Sequence, residues 1–174
     1  RIVDAWMCFP GLILFLILMS VFGIGILQII IVLSLRWGFS GSRIIRGAVL
    51  SLKENIYIKA SVSVGCSTSR IILKHIIPNL MAPTIILFTT RVPDIIMTEA
   101  ALSFLGFGIP PPDPTWGGML SGSARQYMVR APWMVIWPGL ALAVVVYCIN
   151  MFGDALRDIL DPKLRGGAGR FDVK

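Results

Sequence analysis

The sequence predicts an all-α membrane protein, a bundle of about four transmembrane helices, from its composition, its apolar blocks and one polar interval. Of the 174 residues, 56% are hydrophobic and only 14% are charged, and the mean hydropathy is +0.81. Soluble globular domains rarely have this composition. The long apolar blocks lie at 10–35, 80–104 and 133–152, and the polar interval lies at 51–79. We expect a single transmembrane domain over residues 1–174.

The net charge of +7 is explained by where the basic residues lie. They flank the apolar blocks, so the charge favours a membrane protein and argues against nucleic-acid binding. Between residues 37 and 79 there is one acid, Glu54, among six basic residues. The six are Arg43, Arg46, Lys53, Lys59, Arg70 and Lys74. A basic loop between membrane spans stays on the cytoplasmic side, so 51–79 is predicted to be cytoplasmic.

Sequence motifs for catalysis, nucleotide binding and metal binding are missing. The sequence has no Gly-rich phosphate loop of the ATPase type, no His-Glu-x-x-His and no Cys-x-x-Cys. Its one histidine, His75, is not expected to be catalytic, and Cys8, Cys66 and Cys148 are not expected to form disulfides. We therefore expect a non-catalytic subunit without a bound cofactor, driven by a partner. Because it starts at Arg1 without a methionine, we expect the C-terminal part of a longer protein.

The first apolar block, 10–35, has two interpretations. As one helix, its 26 residues would extend about 39 Å, more than the ~30 Å that a bilayer core requires. As a hairpin bent at 22–25, it would have arms at about 2–22 and 24–45, each roughly 30 Å long. The hairpin places Arg36 inside the second arm, where its side chain must reach the cytoplasmic surface or face protein. These residues leave both interpretations open.

The polar interval 51–79 has the pattern of two short segments. Gly65 suits a left-handed end of the first segment, and Ser67 or Thr68 can cap a second helix, which Pro78 is expected to end. The second helix has one apolar face, formed by Ile71, Ile72, Ile76 and Ile77. The first segment fits both a helical repeat and strand-like alternation, so periodicity leaves its conformation open.

The block 80–104 carries ionisable residues at membrane depth, where charge is costly. Arg91 and Asp94 are spaced to pair on one helix face, and Pro93 between them is expected to kink the helix. With Glu99, these two charged residues are candidates to line the translocation path or its gate. An internal ion pair that only fixes helix packing explains them equally well.

The segment 105–131 is predicted to be extracytoplasmic. Its prolines at 110–114 exclude a regular span, and a short interfacial helix is expected at 119–129. The last block, 133–152, is long enough for one crossing, and 166–174 is expected to be a flexible cytoplasmic tail.

The polar interval resembles the "EAA" loop of ABC importer permeases. Ala60 matches the first alanine of that motif, Gly65 matches its glycine, and 76–78 matches its Ile-x-Pro ending, whereas Lys59 replaces the glutamate and Ser61 the second alanine. The resemblance implies a short coupling helix that docks on a cytoplasmic ATPase, and it favours helix over strand. The ATPase-coupling residues that it implies are Tyr57, Lys59, Ala60, Ser61, Gly65, Ile76 and Pro78.

Residues 98–108, Thr-Glu-Ala-Ala-Leu-Ser-Phe-Leu-Gly-Phe-Gly, resemble a signature of the C-type permease subunits of dipeptide, oligopeptide and nickel importers. The residues from 153 to 166 resemble the C-terminal ending of the same subunits. The resemblance covers nearly the whole chain and favours the hairpin. It implies a multi-pass subunit of a bacterial or archaeal cytoplasmic membrane that translocates di- or oligopeptides by alternating access.

The resemblance also implies the partners of the chain. They are a second homologous permease subunit, two ABC ATPase subunits, an extracytoplasmic substrate-binding protein and the lipid bilayer, with no nucleic acid. The same family has a Pro-rich segment at 105–131, which would either contact the binding protein or plug the outer mouth of the bundle. Nickel or another small solute is the alternative substrate. The alternative function is an ion-coupled secondary transporter that relays ions through Arg91, Asp94 and Glu99.

Overall fold

The structure, a computed structural model, describes residues 1–160 and gives only the backbone of Ile2, Ser123 and Arg125. Within that range the secondary structure is helical and contains no β-strand, which confirms the all-α prediction. The helices are α1 (Ile2–Met7), α2 (Gly11–Phe22), α3 (Ile26–Lys53), α4 (Ile56–Ser63), α5 (Thr68–Ile71), α6 (Ile77–Phe104), α7 (Trp116–Leu120), α8 (Ser123–Tyr127) and α9 (Trp133–Leu160). A π-helical turn, Ile72–Ile76, joins α5 to α6. The predicted tail at 166–174 lies outside the described residues.

The chain divides into two compact units, each with a small apolar core of its own. The first unit comprises Arg1–Ser40 and Arg91–Asn150. Within the described residues, the second comprises Gly41–Thr90 and 151–160. The boundaries between the units fall inside α3, α6 and α9.

The first apolar block is a helical hairpin, as one of its two interpretations predicted. α2 ends at Phe22, and Gly23 then turns the chain with a φ of 87°, a conformation that glycine adopts most readily. α3 begins at Ile26. The two arms pack together in the core of the first unit, which contains Phe15, Met19, Ile29, Val32, Leu33 and Leu102.

The first arm of the hairpin is shorter than predicted, because Pro10 interrupts the helix expected over 2–22. α1 ends at Met7, and α2 begins at Gly11. Proline has no backbone N–H and disfavours a helical conformation in the residue before it, so a continuous helix through position 10 is costly. The 12 residues of α2 extend about 18 Å. The second arm, α3, is longer than predicted, with 28 residues.

Two helical stretches in the described part of the chain are long and apolar enough to cross a membrane. They are Thr68–Phe104, with 37 residues, and Trp133–Leu160, with 28 residues. The other two predicted crossings are the hairpin arms. α2 is apolar but has only 12 residues, and α3 has 28 residues but carries basic side chains. These are Arg36, Arg43, Arg46 and Lys53.

The Pro-rich segment forms two short helices, α7 and α8, where a single helix was predicted at 119–129. Thr115 caps α7 by accepting a hydrogen bond from a backbone N–H of its first turn at 2.9 Å. Gly122, with a φ of 51°, separates α7 from α8 and so prevents one continuous helix. A Cβ on Gly117 would overlap the backbone of Ala100, so this glycine lets the segment lie directly against α6.

The polar interval 51–79 contains α4, a left-handed turn and α5. The helical conformation of α4 resolves the helix-or-strand ambiguity, and Gly65 has a φ of 80°, as predicted. Ser67 precedes α5, although its side chain makes no capping hydrogen bond. The core of the second unit contains Ile58, Ile71 and Ile76. Two other residues of the predicted apolar face, Ile72 and Ile77, are each 42% exposed.

The prediction that Pro78 ends the second helix is wrong. Helical conformation continues through Pro78 and Pro83 to Phe104. In the π-helical turn directly before Pro78, the Ile77 N–H donates to the Ile72 carbonyl. This wider hydrogen-bond spacing accommodates the missing N–H of proline and relieves the clash of its ring with the preceding turn.

Candidate functional site

The helix α4 leaves most of its surface exposed on the second unit. Within α4 only Ile58 is buried, and it packs with Ile71 and Ile76. Ile56 is 85% exposed, and Val64, which follows the helix, is 83% exposed. Large exposed apolar side chains with polar residues around them can mark a protein-binding surface. The short helix α4 is therefore attached to its unit by one buried side chain, Ile58, and the rest of its surface is exposed.

Of the seven predicted coupling residues, five are exposed, Ser61 is half-buried and Ile76 is buried. Tyr57 is 42% exposed, and its ring centroid lies 6.3 Å from that of His75. The Ser61 hydroxyl donates to the Tyr57 carbonyl at 2.8 Å, so it is used within the helix. Ile76 is buried in the core of the second unit. The exposed members are Tyr57, Lys59, Ala60, Gly65 and Pro78.

The residue that departs most from the motif, Lys59, makes an ion pair. Its ammonium donates to a carboxylate oxygen of Glu54 at 2.8 Å, and both side chains are exposed. This hydrogen bond, and then the charge of Lys59, hold the pKa of Glu54 below its ordinary value of 4.5. The loop therefore carries an acid–base pair although lysine occupies the usual position of the glutamate.

A second group of charged residues lies in the first unit, around Trp37. Arg91 donates to Asp94 at 3.4 Å, as the spacing of the two residues predicted. The Arg91 guanidinium carbon also lies 4.9 Å from the centroid of the Trp37 ring, and that of Arg36 lies 5.9 Å from it. Both distances are in the range of cation–π interactions. One indole ring therefore contacts two guanidinium groups, one of which is paired with a carboxylate.

Three of these side chains, Arg36, Trp37 and Asp94, border a cavity of about 460 Å³ between α2, α3 and α6, and Arg91 is connected to it through Asp94. Its lining includes Gly11, Phe15, Arg36, Trp37, Asp94 and Thr98. The volume is in the range of sites that hold small molecules, about 300–1,000 Å³. A cavity with one apolar wall and a few charged groups can hold and orient a small polar solute.

Glu99 lies apart from this cavity, although it was predicted to act with Arg91 and Asp94. Its carboxylate accepts a hydrogen bond at 2.6 Å from the hydroxyl of Ser103, which is buried. Glu99 is also absent from the lining of the cavity. The structure therefore groups only two of the three predicted path residues.

Three polar side chains of the lining were not among the predicted site residues: Arg36, Trp37 and Thr98. The signal in the sequence was an arginine followed by a tryptophan directly after the apolar block 10–35. Within residues 1–160, no three His, Cys, Asp or Glu side chains are close enough together to hold a metal ion. The charged groups of the cavity thus suit a ligand with its own charge.

Comparison with known proteins gives the family. Residues 1–166 match the model of the binding-protein-dependent transport system inner membrane component. The chain is 40% identical over 166 residues to the glutathione transport system permease protein GsiD of Escherichia coli O157:H7, covering 95% of this chain and 54% of that protein. The GsiD proteins of Shigella flexneri serotype 5b and Shigella sonnei have the same identity and coverage. The chain spans about half the length of these curated relatives. It belongs to the family of binding-protein-dependent transport system inner membrane components.

Proposed function

We propose that this chain is part of the permease subunit of an ABC importer, which translocates small peptides across the inner membrane by alternating access. The family supports the importer function. Relatives named as glutathione permeases support a peptide-type substrate, because glutathione is itself a small peptide. The observation that carries the proposal is the exposure of α4, a helix held to its unit by the single buried residue Ile58.

ATP hydrolysis would take place on two partner ATPase subunits, one of which would bind the exposed face of α4. The anchor Ile58 packs against residues of α5 and of the π-helical turn, and tightly packed side chains move together rather than deform. From Thr68 the helical conformation is continuous to Phe104. A displacement of α4 would therefore be passed to the helical stretch that begins at Thr68.

The proposal includes two further partners and a path. A second homologous permease subunit would complete the translocation path, and an external binding protein would deliver substrate at the segment 105–131. Arg91, Asp94 and Glu99 of α6 would line the path or its gate. Charged side chains at membrane depth normally face a bundle interior or a cavity, and Asp94 borders a cavity in the first unit.

A pair of matched variants tests the coupling role of α4. Val64 is 83% exposed beside α4, and Val129 is 96% exposed in the Pro-rich segment. The full-length permease would be purified with its partner subunits as the wild type, Val64→Glu and Val129→Glu. We expect Val64→Glu to lower the co-purified ATPase activity about tenfold or more, because an unpaired charge in an interface costs several kcal/mol. Measured without the binding protein, which is proposed to meet the segment that contains Val129, the Val129→Glu variant should keep the wild-type ATPase activity.

Equal ATPase activity in both variants, with peptide uptake at the wild-type rate, would contradict coupling through α4. A second measurement separates the importer from an ion-coupled transporter. In proteoliposomes, uptake of a labelled peptide should require ATP and should survive collapse of the ion gradients. Uptake that survives ATP depletion and stops with the gradients would assign the protein to secondary transport instead.

A further inference from the structure

The cavity of the first unit has hydrogen-bond donors that lack acceptors. Asp94 is the one carboxylate in its lining, and it already pairs with Arg91 at 3.4 Å. Arg36, in contrast, forms no ion pair and no hydrogen bond with the residues that the structure describes. Its guanidinium carbon lies 5.9 Å from the centroid of the Trp37 ring. The guanidinium of Arg36 has donors in a planar arrangement that matches a carboxylate. The positive charge at this wall therefore exceeds the negative charge available to it.

The start of α2 adds more donors to the same wall. Gly11 and Leu12, in its first turn, line the cavity. The N–H groups of a first helical turn have no partner within the helix, and the helix dipole makes them a positive end. Pro10, the residue before α2, provides no side-chain cap. The Arg36 Nε and Nη2 atoms lie 3.7 and 3.8 Å from the position that a Cβ on Gly11 would occupy, so both sources of positive charge lie together.

Trp37 contributes a third unmatched donor. It lines the cavity, and its indole N–H is buried without an acceptor among residues 1–160. Buried donors are nearly always paired in folded proteins. Because this N–H is out of reach of a ligand in the cavity, the donors that acceptor oxygens of a ligand would meet are the Arg36 guanidinium and the first-turn N–H groups of α2, whereas a cationic ligand would meet the charge of Arg36.

We propose that this cavity binds a carboxylate group of the peptide during its passage through the membrane, with Arg36 as the residue that holds it. The inference rests on the proposed importer function and names the chemical group that the membrane subunit recognises. An arginine–carboxylate pair forms two parallel hydrogen bonds. The cavity volume of about 460 Å³ leaves room for the rest of a small peptide beside the apolar side chains of Leu12, Phe15 and Met97.

The test compares two substrates in the complete importer, reconstituted with its ATPases and binding protein. One is a labelled dipeptide with a free carboxylate, and the other is the same dipeptide with a C-terminal amide. The variants are Arg36→Gln, Arg36→Lys and, as a control of equal charge change on the same helix, Arg46→Gln. Arg46 is exposed and lies outside the cavity lining. Because the binding protein is identical throughout, its own preference cancels in the ratio of variant to wild type.

We expect Arg36→Gln to lower uptake of the free-acid dipeptide about tenfold or more, the effect of losing a charge-assisted hydrogen bond. Uptake of the amide should change less than about twofold, since an amide has no charge for Arg36 to pair with. Arg36→Lys should give an intermediate loss, because lysine keeps the charge but not the two parallel bonds. Arg46→Gln should leave both uptake rates and the ATPase activity as in the wild type.

Equal losses for both dipeptides, with ATPase activity and assembly intact, would make Arg36 a structural residue and overturn the inference, while the importer function would stand. No loss for either substrate would overturn it as well. An anionic lipid phosphate presents the same chemistry, so the assay is repeated in liposomes of phosphatidylcholine with and without phosphatidylglycerol. An Arg36→Gln effect that appears only with phosphatidylglycerol would assign the cavity to lipid. If the wild-type importer shows no ATP-driven dipeptide uptake, that result contradicts the proposed function itself.

Discussion

Lys59 stands where related loops carry a glutamate, and its ammonium lies 2.8 Å from a carboxylate oxygen of Glu54. The loop thus has an acid–base pair in which the acid precedes α4. Glu54 precedes α4 and lies outside the run that matches the motif, so the resemblance alone gave no reason to connect it with Lys59. Both side chains are exposed, and exposed ion pairs contribute little to stability. The pair is better viewed as setting the charge pattern of the surface offered to a partner.

The titration of Glu54 tests this ion pair. Replacement of Lys59 by methionine should raise the pKa of Glu54 toward its ordinary value of 4.5, because the hydrogen bond and then the charge of Lys59 lower it. A lowered pKa in the folded state means that the pair stabilises above about pH 4.5 and is lost as the pH falls through the folded pKa. The chain has two glutamates, Glu54 and Glu99, so ¹³C-glutamate labelling resolves each carboxyl by NMR.

Lys53→Met is the matched control for this titration. Lys53 lowers the pKa of Glu54 by its charge alone, and it is the weakest of the contributing causes. Its replacement should therefore raise the pKa of Glu54 less than replacement of Lys59 does. Equal shifts in the two variants would show that the contact at 2.8 Å is not formed in the protein.

The charged residues of α6 show how far spacing along the chain can predict a site. The pairing of Arg91 with Asp94 followed from their separation on a helix and is present. The contact of Arg91 with Trp37, at 4.9 Å, joins residues of α6 and α3 that lie far apart in sequence. Periodicity describes one helix at a time. It therefore identified the pair but neither the aromatic ring between the helices nor the cavity beside it.

At the scale of helices, two prolines have opposite consequences. Pro10 separates α1 from α2, whereas Pro78 lies in the first turn of α6 and does not interrupt it. The first turn of a helix tolerates proline, since its N–H groups have no helical partner there. The π-helical turn, Ile72–Ile76, connects α6 to α5 in spite of the proline. Sequence rules predict that a helix ends near Pro78. The helix continues because the π-helical turn before Pro78 accommodates the proline.

The anchoring of α4 by one side chain leads to a second prediction. Ile58 is 4% exposed, and Ile56 in the same helix is 85% exposed. Replacement of Ile58 by alanine should destabilise α4 by about 2 kcal/mol or more, because it removes buried methyl groups and leaves a cavity. Hydrogen exchange of the α4 amides in the detergent-solubilised subunit should then become faster by at least tenfold. Ile56→Ala removes the same atoms from an exposed position.

The exchange rates of α4 in Ile56→Ala should stay close to those of the wild type. If both variants exchange equally fast, α4 is not held by the core of the second unit. In that case a displacement of α4 could not be passed to α6 through packed side chains. The same experiment on the full importer would show whether a bound ATPase protects α4.

At the scale of the whole chain, the proposal requires the polar interval 51–79 and the Pro-rich segment 105–131 to lie on opposite sides of the bilayer. Cys66, in the turn after α4, is partly exposed. In a variant that keeps only this cysteine, with Cys8→Ser and Cys148→Ser, a membrane-impermeant maleimide should label Cys66 in inverted inner-membrane vesicles. Intact spheroplasts should give no labelling, because the positive-inside bias places this loop in the cytoplasm.

The complementary variant introduces Val129→Cys into a chain without other cysteines. Val129 is 96% exposed, and we expect the reagent to reach it in spheroplasts but not in inverted vesicles. Detergent should expose both cysteines, which controls for reactivity. Labelling of Cys66 from the outer side would rule out a cytoplasmic coupling segment, and with it the ABC importer function.

Most features that were predicted correctly depend on residues that are close together in the chain. Composition and apolar length predict membrane helices, the Gly65 turn follows from one residue type, and the Arg91–Asp94 pair follows from helical spacing. The cavity around Arg36 and Trp37, the separate position of Glu99 and the uninterrupted helix through Pro78 did not follow. Each of these depends on packing between helices or on a change of hydrogen-bond spacing. Packing between helices forms only when distant segments meet, and helix propensities do not predict a change from α-helical to π-helical spacing.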